Sequence, residues 1–92
     1  MSRTANFFFY ATKVKPYGVE AFMKITNSKN FGETVKNKRR QLGYTQKYVS
    51  EFTGLSISFL SDLENGKKTI ELDKALNVAN ILGLDVELNE RG

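Results

Sequence analysis

The side chains of this sequence that are best suited to binding chemistry are basic, and they form two clusters. The first cluster falls within one predicted helix and consists of Lys36, Lys38, Arg39 and Arg40. The second is the pair Lys67 and Lys68 in a predicted loop. Grouped cations attract phosphate, so both clusters are compatible with a nucleic-acid partner. A lysine pair in a loop is equally typical of a solvated surface.

The residues that most enzymatic chemistry requires are missing. The chain contains no cysteine and no histidine. It therefore has no disulfide, no thiolate or imidazole metal site, and no Ser/His or Cys/His nucleophile pair. No paired carboxylates stand out among its 10 Asp and Glu residues. We expect a protein that is not an enzyme and that uses neither a cofactor nor a metal.

The length and composition fit one small domain. Its 92 residues are 40% hydrophobic and 26% charged, and the formal net charge is +4. Such a domain buries only about 60–65% of its extended-chain surface, and dimerisation commonly compensates for the small core. No apolar run approaches the ~18 residues of a membrane span, and the run Phe7–Ala11 is too short for the core of a signal peptide. We therefore expect a cytoplasmic location.

Residues 1–22 differ in character from the rest of the chain. They contain the only proline and the aromatic run Phe7–Tyr10, and they show no helical period. Two origins are open, a natural extension or a translated leader that precedes a true start at Met23. The aromatic run has three possible roles, as an edge strand, as packing on the domain or as a partner-binding segment. The sequence thus divides into an N-terminal extension (1–22), a helical domain (23–83) and a C-terminal segment (84–92).

Capping residues and stop signals between residues 30 and 83 predict a series of short helices. Asn30, with Glu33 three residues later, forms a capping-box pattern at the start of the first helix, and Gly43 ends that helix. Thr45 and Ser56 are predicted to cap the second and third helices. The residues assigned to the inner faces of these helices are Phe31, Val35, Leu42, Val49, Thr53, Leu60 and Leu63.

A fourth helix and a short strand are predicted to complete the domain. The helix spans about residues 72–82, and its inner face consists of Leu72, Ala75, Leu76, Ala79 and Leu82. Beyond it, polar residues alternate with three apolar ones, Leu84, Val86 and Leu88. A lone strand leaves backbone groups unpaired, so we expect it to form a dimer interface by pairing with the same strand of a second copy. Phe7–Tyr10 and Phe22–Ile25 of the same molecule are rival partners.

Two of the predicted helices, at 45–53 and 56–64, are joined by a short turn that contains Gly54. Two short helices joined in this way are typical of a helix-turn-helix unit. Ser50 is a small residue at the point where the helices would cross, and Leu55 would fill the corner beneath them. Gly54 can adopt a backbone conformation that a residue with a Cβ resists. Each feature is common in all-α proteins, but their combination is specific.

Three runs carry a family resemblance: 39–46 (RRQLGYTQ), 54–56 (GLS) and 59–67 (FLSDLENGK). They resemble the Cro/C1-type (XRE) helix-turn-helix family. Within it, residues 23–88 are most similar to the HipB-type antitoxins, through the start Met23-Lys24-Ile25 and the segments Ser56–Lys67 and Leu72–Leu88. The resemblance implies an all-α, lambda-repressor-like domain of four to five helices with a short C-terminal strand. Residues 1–22 lie outside it.

The resemblance places the helix at 56–64 in the major groove of DNA. The residues implied to read base edges are Ile57, Ser58, Ser61 and Asp62. Serine hydroxyls can donate or accept, isoleucine can contact a thymine methyl group, and aspartate can accept from cytosine N4. Neither Arg nor Gln is among these readers, which leaves room for readout of DNA shape. The residues expected to contact phosphates are Gln46 and Ser56, at helix starts, and Lys67 and Lys68.

Two further sets of residues have structural or partner-binding interpretations. The resemblance implies that Arg39 and Glu64 form a pair that locks the recognition helix to the first helix. Tyr48, Phe52 and Phe59 occupy positions that are often polar in the family. They either cover the core, or receive the N-terminal arm, or form a partner-binding patch.

The function implied by these observations is sequence-specific binding of double-stranded DNA at a palindromic operator by a homodimer. The resemblance implies an autorepressing antitoxin that neutralises a HipA-type kinase toxin, and nothing in composition or spacing indicates the toxin. The alternatives are a stand-alone or phage-type XRE repressor without a toxin partner, and a protein-interaction module with weak DNA binding.

Overall fold

The computed structural model describes residues 23–91, which fold into four α-helices. These are α1 (Ser28–Gln41), α2 (Gln46–Thr53), α3 (Ile57–Glu64) and α4 (Leu72–Ile81). The all-α fold predicted from the sequence is confirmed. None of these helices is long and apolar enough to cross a membrane. The predictions for Phe7–Tyr10 and for the rest of residues 1–22 lie outside the described residues.

Side-chain oxygens cap the first three helices. Thr45 Oγ1 accepts from the Tyr48 amide at 2.9 Å, and Ser56 Oγ accepts from the Phe59 amide at 3.0 Å. Both of these caps were predicted. The predicted start of α1 is wrong, because the cap is Asn27, whose Oδ1 accepts from the Asn30 amide at 2.8 Å.

The error at α1 arises because two asparagines lie three residues apart. Both have the side chain that an N-cap needs, and the earlier one adds almost a full turn to the helix. The Asn30 side chain faces backwards, and its Oδ1 accepts from the Thr26 hydroxyl at 2.8 Å. Glu33 therefore lies in the second turn of α1 and does not form the predicted capping box.

The core lies where the four helices meet. Its buried members are Val35, Val49, Leu60, Leu63, Ala75, Val78 and Leu82. The predicted inner face of α4 was wrong at two residues, because Val78, which it omitted, is fully buried and Leu72, which it included, is 64% exposed. Leu72 is the first residue of α4 and lies beyond the packed turns, and Leu42 is exposed for the equivalent reason after the end of α1.

Helix α1 crosses α3 in direct backbone contact at Gly32. A Cβ atom at this position would clash with the carbonyl oxygen of Leu63 and lie 2.9 Å from that of Glu64. Close by, the Ser28 hydroxyl donates to the carbonyl of Gly66 at 2.9 Å. The absence of a side chain at Gly32 therefore sets the distance between α1 and the C-terminal half of α3.

Residues 84–91 follow α4 without forming a strand. Leu84 is anchored, because its amide donates to the carbonyl of Ala79 at 2.8 Å and its side chain packs on the core. Val86 and Leu88 are 52% and 98% exposed. A strand needs a second strand to pair with, and none of the residues 23–91 supplies one.

Candidate nucleic-acid interface

The connection between α2 and α3 is a tight turn built by Gly54 and the residues on either side. Gly54 has φ 80°, in the left-handed region, and its amide donates to the carbonyl of Ser50 at 2.8 Å. The Ser50 hydroxyl donates to the carbonyl of Leu55 at 2.6 Å, and the Leu55 amide donates to Thr53 Oγ1 at 3.1 Å. Leu55 packs on the core. These bonds fix the orientation of α3 relative to α2, as a helix-turn-helix unit requires.

Helix α3 buries one face and presents the other to solvent. Leu60 and Leu63 are each 1% exposed. The four residues predicted to read base edges lie away from the core; Ile57 and Ser58 are exposed, and Ser61 and Asp62 are half-buried. The structure thus brings the predicted readers together along one accessible side of α3. The two readers at the N-terminal end of the helix are more exposed to solvent than the two nearer its C-terminal end.

Two of the predicted DNA-contacting residues interact with each other. Lys67 Nζ lies 3.4 Å from Asp62 Oδ2, and the side chains are 53% and 45% exposed. An ion pair this open contributes little to stability, about 0–1 kcal/mol, so it can separate at low cost. While it is intact, the lysine offsets the carboxylate, a negative charge that would otherwise repel a phosphate backbone approaching α3.

The predicted phosphate-binding residues differ in what their side chains already do. Gln46 Nε2 donates to Glu64 Oε1 at 3.0 Å, so this amide is engaged within the protein. Nε2 carries a second hydrogen that can be donated to an anion. The backbone amide of Gln46, in the first turn of α2 where a helix lacks internal acceptors, is a further donor. The Ser56 hydroxyl accepts a hydrogen bond as a cap but keeps its proton to donate. Lys68 is exposed.

Arg39 of α1 and Glu64 of α3 form a bidentate ion pair. Arg39 Nε lies 2.6 Å from Glu64 Oε2, and Nη2 lies 2.9 Å from Oε1. The side chains are only 10% and 3% exposed. Arg39 Nη1 also donates to the carbonyl of Tyr44 at 2.8 Å, so one guanidinium joins α1, α3 and the loop before α2.

The hydrogen bonds from Arg39 to Glu64 raise the pKa of Arg39, and the negative charge of Glu64 acts in the same direction, against the lowering effect of burial. Arg39 therefore stays positively charged at any pH at which the protein is folded. Together with Gln46, this pair forms a network that holds the C-terminal end of the predicted recognition helix; we call it the Arg39–Glu64 network.

An aromatic row follows the outer side of α2. The rings of Tyr48 and Phe52 are stacked, with centroids 6.2 Å apart and an interplanar angle of 5°. Tyr44 extends the row, with its centroid 4.8 Å from that of Tyr48. Sequence reasoning missed Tyr44, although the spacing 44, 48, 52 was a visible signal.

Phe59 was grouped with these residues from the sequence, but its environment is different. It is half-buried against the core, and Lys74 Nζ lies 5.9 Å from its ring centroid. Phe52, by contrast, is 67% exposed. The aromatic row therefore consists of Tyr44, Tyr48 and Phe52. Among residues 23–91, no three acidic side chains lie close enough together to hold a metal ion.

The sequence model of the helix-turn-helix family matches residues 35–89, more than half of the chain. The chain belongs to this family. The Cro/C1 (XRE) resemblance drawn from its motifs is confirmed. No curated protein sequence matches the chain.

Two solved structures with a similar fold are complexes of HipB with 20mers. One is HipB with an O4 20mer, at a TM-score of 0.70 and 24% identity, covering 77% of this chain and 100% of that one. The other is a serine-to-alanine variant of HipB with an O2 20mer, at the same score and identity, covering 77% and 99%. At this level of identity the likeness establishes a shared fold.

Proposed function

We propose that this helix-turn-helix protein is a sequence-specific transcriptional regulator that inserts α3 into the major groove of operator DNA. The observation that carries the proposal is that α3 is held in place at both ends while side chains on one side of it are accessible to solvent. The turn at Gly54 and the Arg39–Glu64 network fix both ends of α3, while Ile57 and Ser58 at its start stay exposed. A reading surface needs that combination of fixed backbone and accessible side chains.

The proposed readout follows from the chemistry of four side chains. Ile57 offers an apolar surface to a thymine methyl group, and Ser58 and Ser61 donate to or accept from several bases. Asp62 accepts from cytosine N4 once Lys67 turns away to a phosphate. No bidentate contact of the kind made by Arg or Gln is available from these positions, so DNA shape contributes to the choice of site.

The proposed functional unit is a homodimer joined through residues 84–88. Leu84 is anchored on the core, while Val86 and Leu88 expose apolar side chains beside backbone that pairs with no strand among residues 23–91. Pairing with the same segment of a second copy covers these side chains and supplies the missing backbone hydrogen bonds. Two-fold symmetry places two α3 helices about one DNA turn apart, ~34 Å, and calls for a palindromic operator.

The more specific role that we propose is that of an autorepressing antitoxin of a HipA-type kinase toxin. The motif resemblance to HipB-type antitoxins and the fold shared with the two HipB complexes support it. The exposed aromatic row offers a candidate surface for such a toxin, since large exposed aromatic side chains are typical of protein interfaces. Co-expression with the product of the neighbouring reading frame tests this role; a product whose kinase activity the protein leaves unchanged refutes it.

Binding to the DNA upstream of the protein's own gene, measured by gel shift at several salt concentrations, tests the regulator proposal. Lys67→Ala combined with Lys68→Ala should weaken binding to all duplexes about equally and lower the salt slope by ~0.9 for each lost phosphate contact. Ser58→Ala should instead change which sites are preferred. A wild-type protein that binds the upstream DNA no better than a scrambled duplex contradicts the proposal.

A further inference from the structure

A cleft of about 450 Å³ opens between α1 and the adjoining ends of α2 and α3. Its α1 side carries Lys36 and Arg40, one helical turn apart. Opposite them lie Gln46, at the start of α2, and Ser61 and Asn65, at the end of α3. Arg39 and Glu64, already bonded to each other, also line the cleft.

The charges of this cleft do not balance. The positive charge of Arg39 is offset by the carboxylate of Glu64 at 2.6 Å. Lys36 and Arg40 take part in none of the ion pairs of residues 23–91, and Arg40 is exposed. Two positive charges on one wall of the open cleft are therefore left without an ion-pair partner among residues 23–91. Such a site attracts an anion strongly, because its walls exclude part of the solvent that would screen the charges.

Neutral donors complete the lining. Asn65 Nδ2 is 3.4 Å from Ser61 Oγ, a long contact that leaves the amide able to rotate towards a ligand. The backbone amide of Gln46 lies in the first turn of α2, at the positive end of the helix dipole. Cations on one wall and neutral N–H and O–H groups on the other suit an oxyanion with several acceptor oxygens, such as a phosphate.

The position of Ser61 indicates which molecule would supply a phosphate to this cleft. This residue lines the cleft and is also one of the four predicted base-readers on α3. The cleft therefore opens beside the reading side of α3, where the backbone flanking an occupied major groove would pass. We infer that the cleft seats a backbone phosphate of the bound duplex, held by Lys36 and Arg40, an inference that rests on the proposed function.

The inference adds α1 to the interface, where the sequence had indicated only a basic cluster compatible with nucleic acid and assigned no individual DNA contact. It also gives the Arg39–Glu64 network a second consequence. Because Arg39 neutralises Glu64, the one acidic side chain that residues 23–91 contribute to the cleft does not repel the phosphate. Lys36 and Arg40 would contact a phosphate and not a base, so they should strengthen binding without altering the preferred sequence.

The test compares two charge-matched double variants of the full chain. Lys36→Ala with Arg40→Ala removes one lysine and one arginine from the cleft. Lys24→Ala with Arg91→Ala removes the same two residue types from exposed positions outside it. Fluorescence anisotropy with the upstream duplex and with a scrambled duplex, from 50 to about 300 mM salt, gives affinity and salt slope. Thermal melts confirm that both variants fold.

The cleft variant is expected to lose about 0.9 in salt slope, for the one phosphate contact, equivalent to roughly 8-fold weaker binding at 0.1 M salt, for both duplexes alike. The control variant is expected to keep the wild-type slope. A folded cleft variant with the wild-type slope overturns the inference and leaves the proposed function standing, as does an equal loss in the control variant. A wild-type protein that binds neither duplex overturns both.

Discussion

Replacing Arg39 by methionine should destabilise the protein far more than any substitution of an exposed cation. Methionine keeps much of the aliphatic volume but removes both bonds to Glu64 and the bond to the Tyr44 carbonyl. Among residues 23–91, the Glu64 side chain, only 3% exposed, is left with the Gln46 amide as its remaining hydrogen-bond partner. A buried carboxylate without a counter-charge is costly because desolvation disfavours its charged form.

The expected magnitude follows from the burial of the pair. Removing one partner of a buried ion pair costs about 3–5 kcal/mol, whereas an exposed pair is worth about 0–1 kcal/mol. At about 4–8 °C per kcal/mol for a domain of this size, even the lower figure shifts the thermal midpoint by more than about 12 °C. The free energy of unfolding of a folded protein is usually about 5–15 kcal/mol, so the substitution would remove a large share of it.

The control for this substitution is the neighbouring arginine on the same helix. Arg40→Met makes the same chemical change at an exposed position that forms no ion pair with any of residues 23–91, and its midpoint should stay close to that of the wild type. Urea unfolding followed by circular dichroism provides a second measurement if Arg39→Met melts below room temperature. Combining Arg39→Met with Glu64→Met should recover part of the loss, because no charge is left buried.

Three outcomes would refute this reasoning. Equal midpoints for Arg39→Met and Arg40→Met would mean that the pair is open to solvent and weak. A double variant less stable than the sum of its single changes would mean that the network stabilises through something other than charge pairing. A change in the preferred DNA site for the residual binding of Arg39→Met would mean that Arg39 itself reads DNA.

Further predictions concern the helix contacts and the dimer. Gly32→Ala should destabilise the protein by about 1–3 kcal/mol in chemical unfolding, because the clash with the Leu63 carbonyl outweighs the ~1 kcal/mol gained in helix propensity. Unchanged stability would contradict the close approach of α1 to α3. Ser56→Ala should cost about 1 kcal/mol through loss of the α3 cap, measurable as a lower urea midpoint. Deletion of residues 85–92 should abolish the dimer in sedimentation with the helical signal retained, and a truncated protein that still dimerises and binds its operator would refute the proposed interface.

Much of the fold could be read from the sequence because the signals concerned are local. Thr45 and Ser56 cap helices by accepting hydrogen bonds from amides three residues away, and Gly54 adopts the left-handed backbone conformation that the turn requires. Such interactions depend on a few neighbouring residues, so residue type and spacing are sufficient to predict them. The helix-turn-helix unit consists almost entirely of signals of this kind, and its family resemblance was visible for the same reason.

Where the sequence offered two residues equally suited to one role, only the tertiary structure decided between them. Asn27 and Asn30 are both suitable caps, and the choice of Asn27 allows Ser28 to reach the Gly66 carbonyl. Leu72 and Val78 both fit an apolar helical pattern, and the position of α4 on the core buries Val78 and exposes Leu72. The sequence pattern gives the period of a helix, but neighbouring helices decide which part of its face is covered.

Contacts between residues far apart in sequence were the least predictable. The pairing of Arg39 with Glu64 was anticipated through the family resemblance, but the bond from Gln46 to Glu64 was not. The close approach at Gly32 and the basic cleft exist only once α1 lies across α3. Residue types by themselves determined that this chain would form short capped helices with basic surfaces. Among residues 23–91, the packing of α1 against α3 decided that Arg39 pairs with Glu64 while Lys36 and Arg40 form no ion pair, because pairing depends on distances that local sequence does not set.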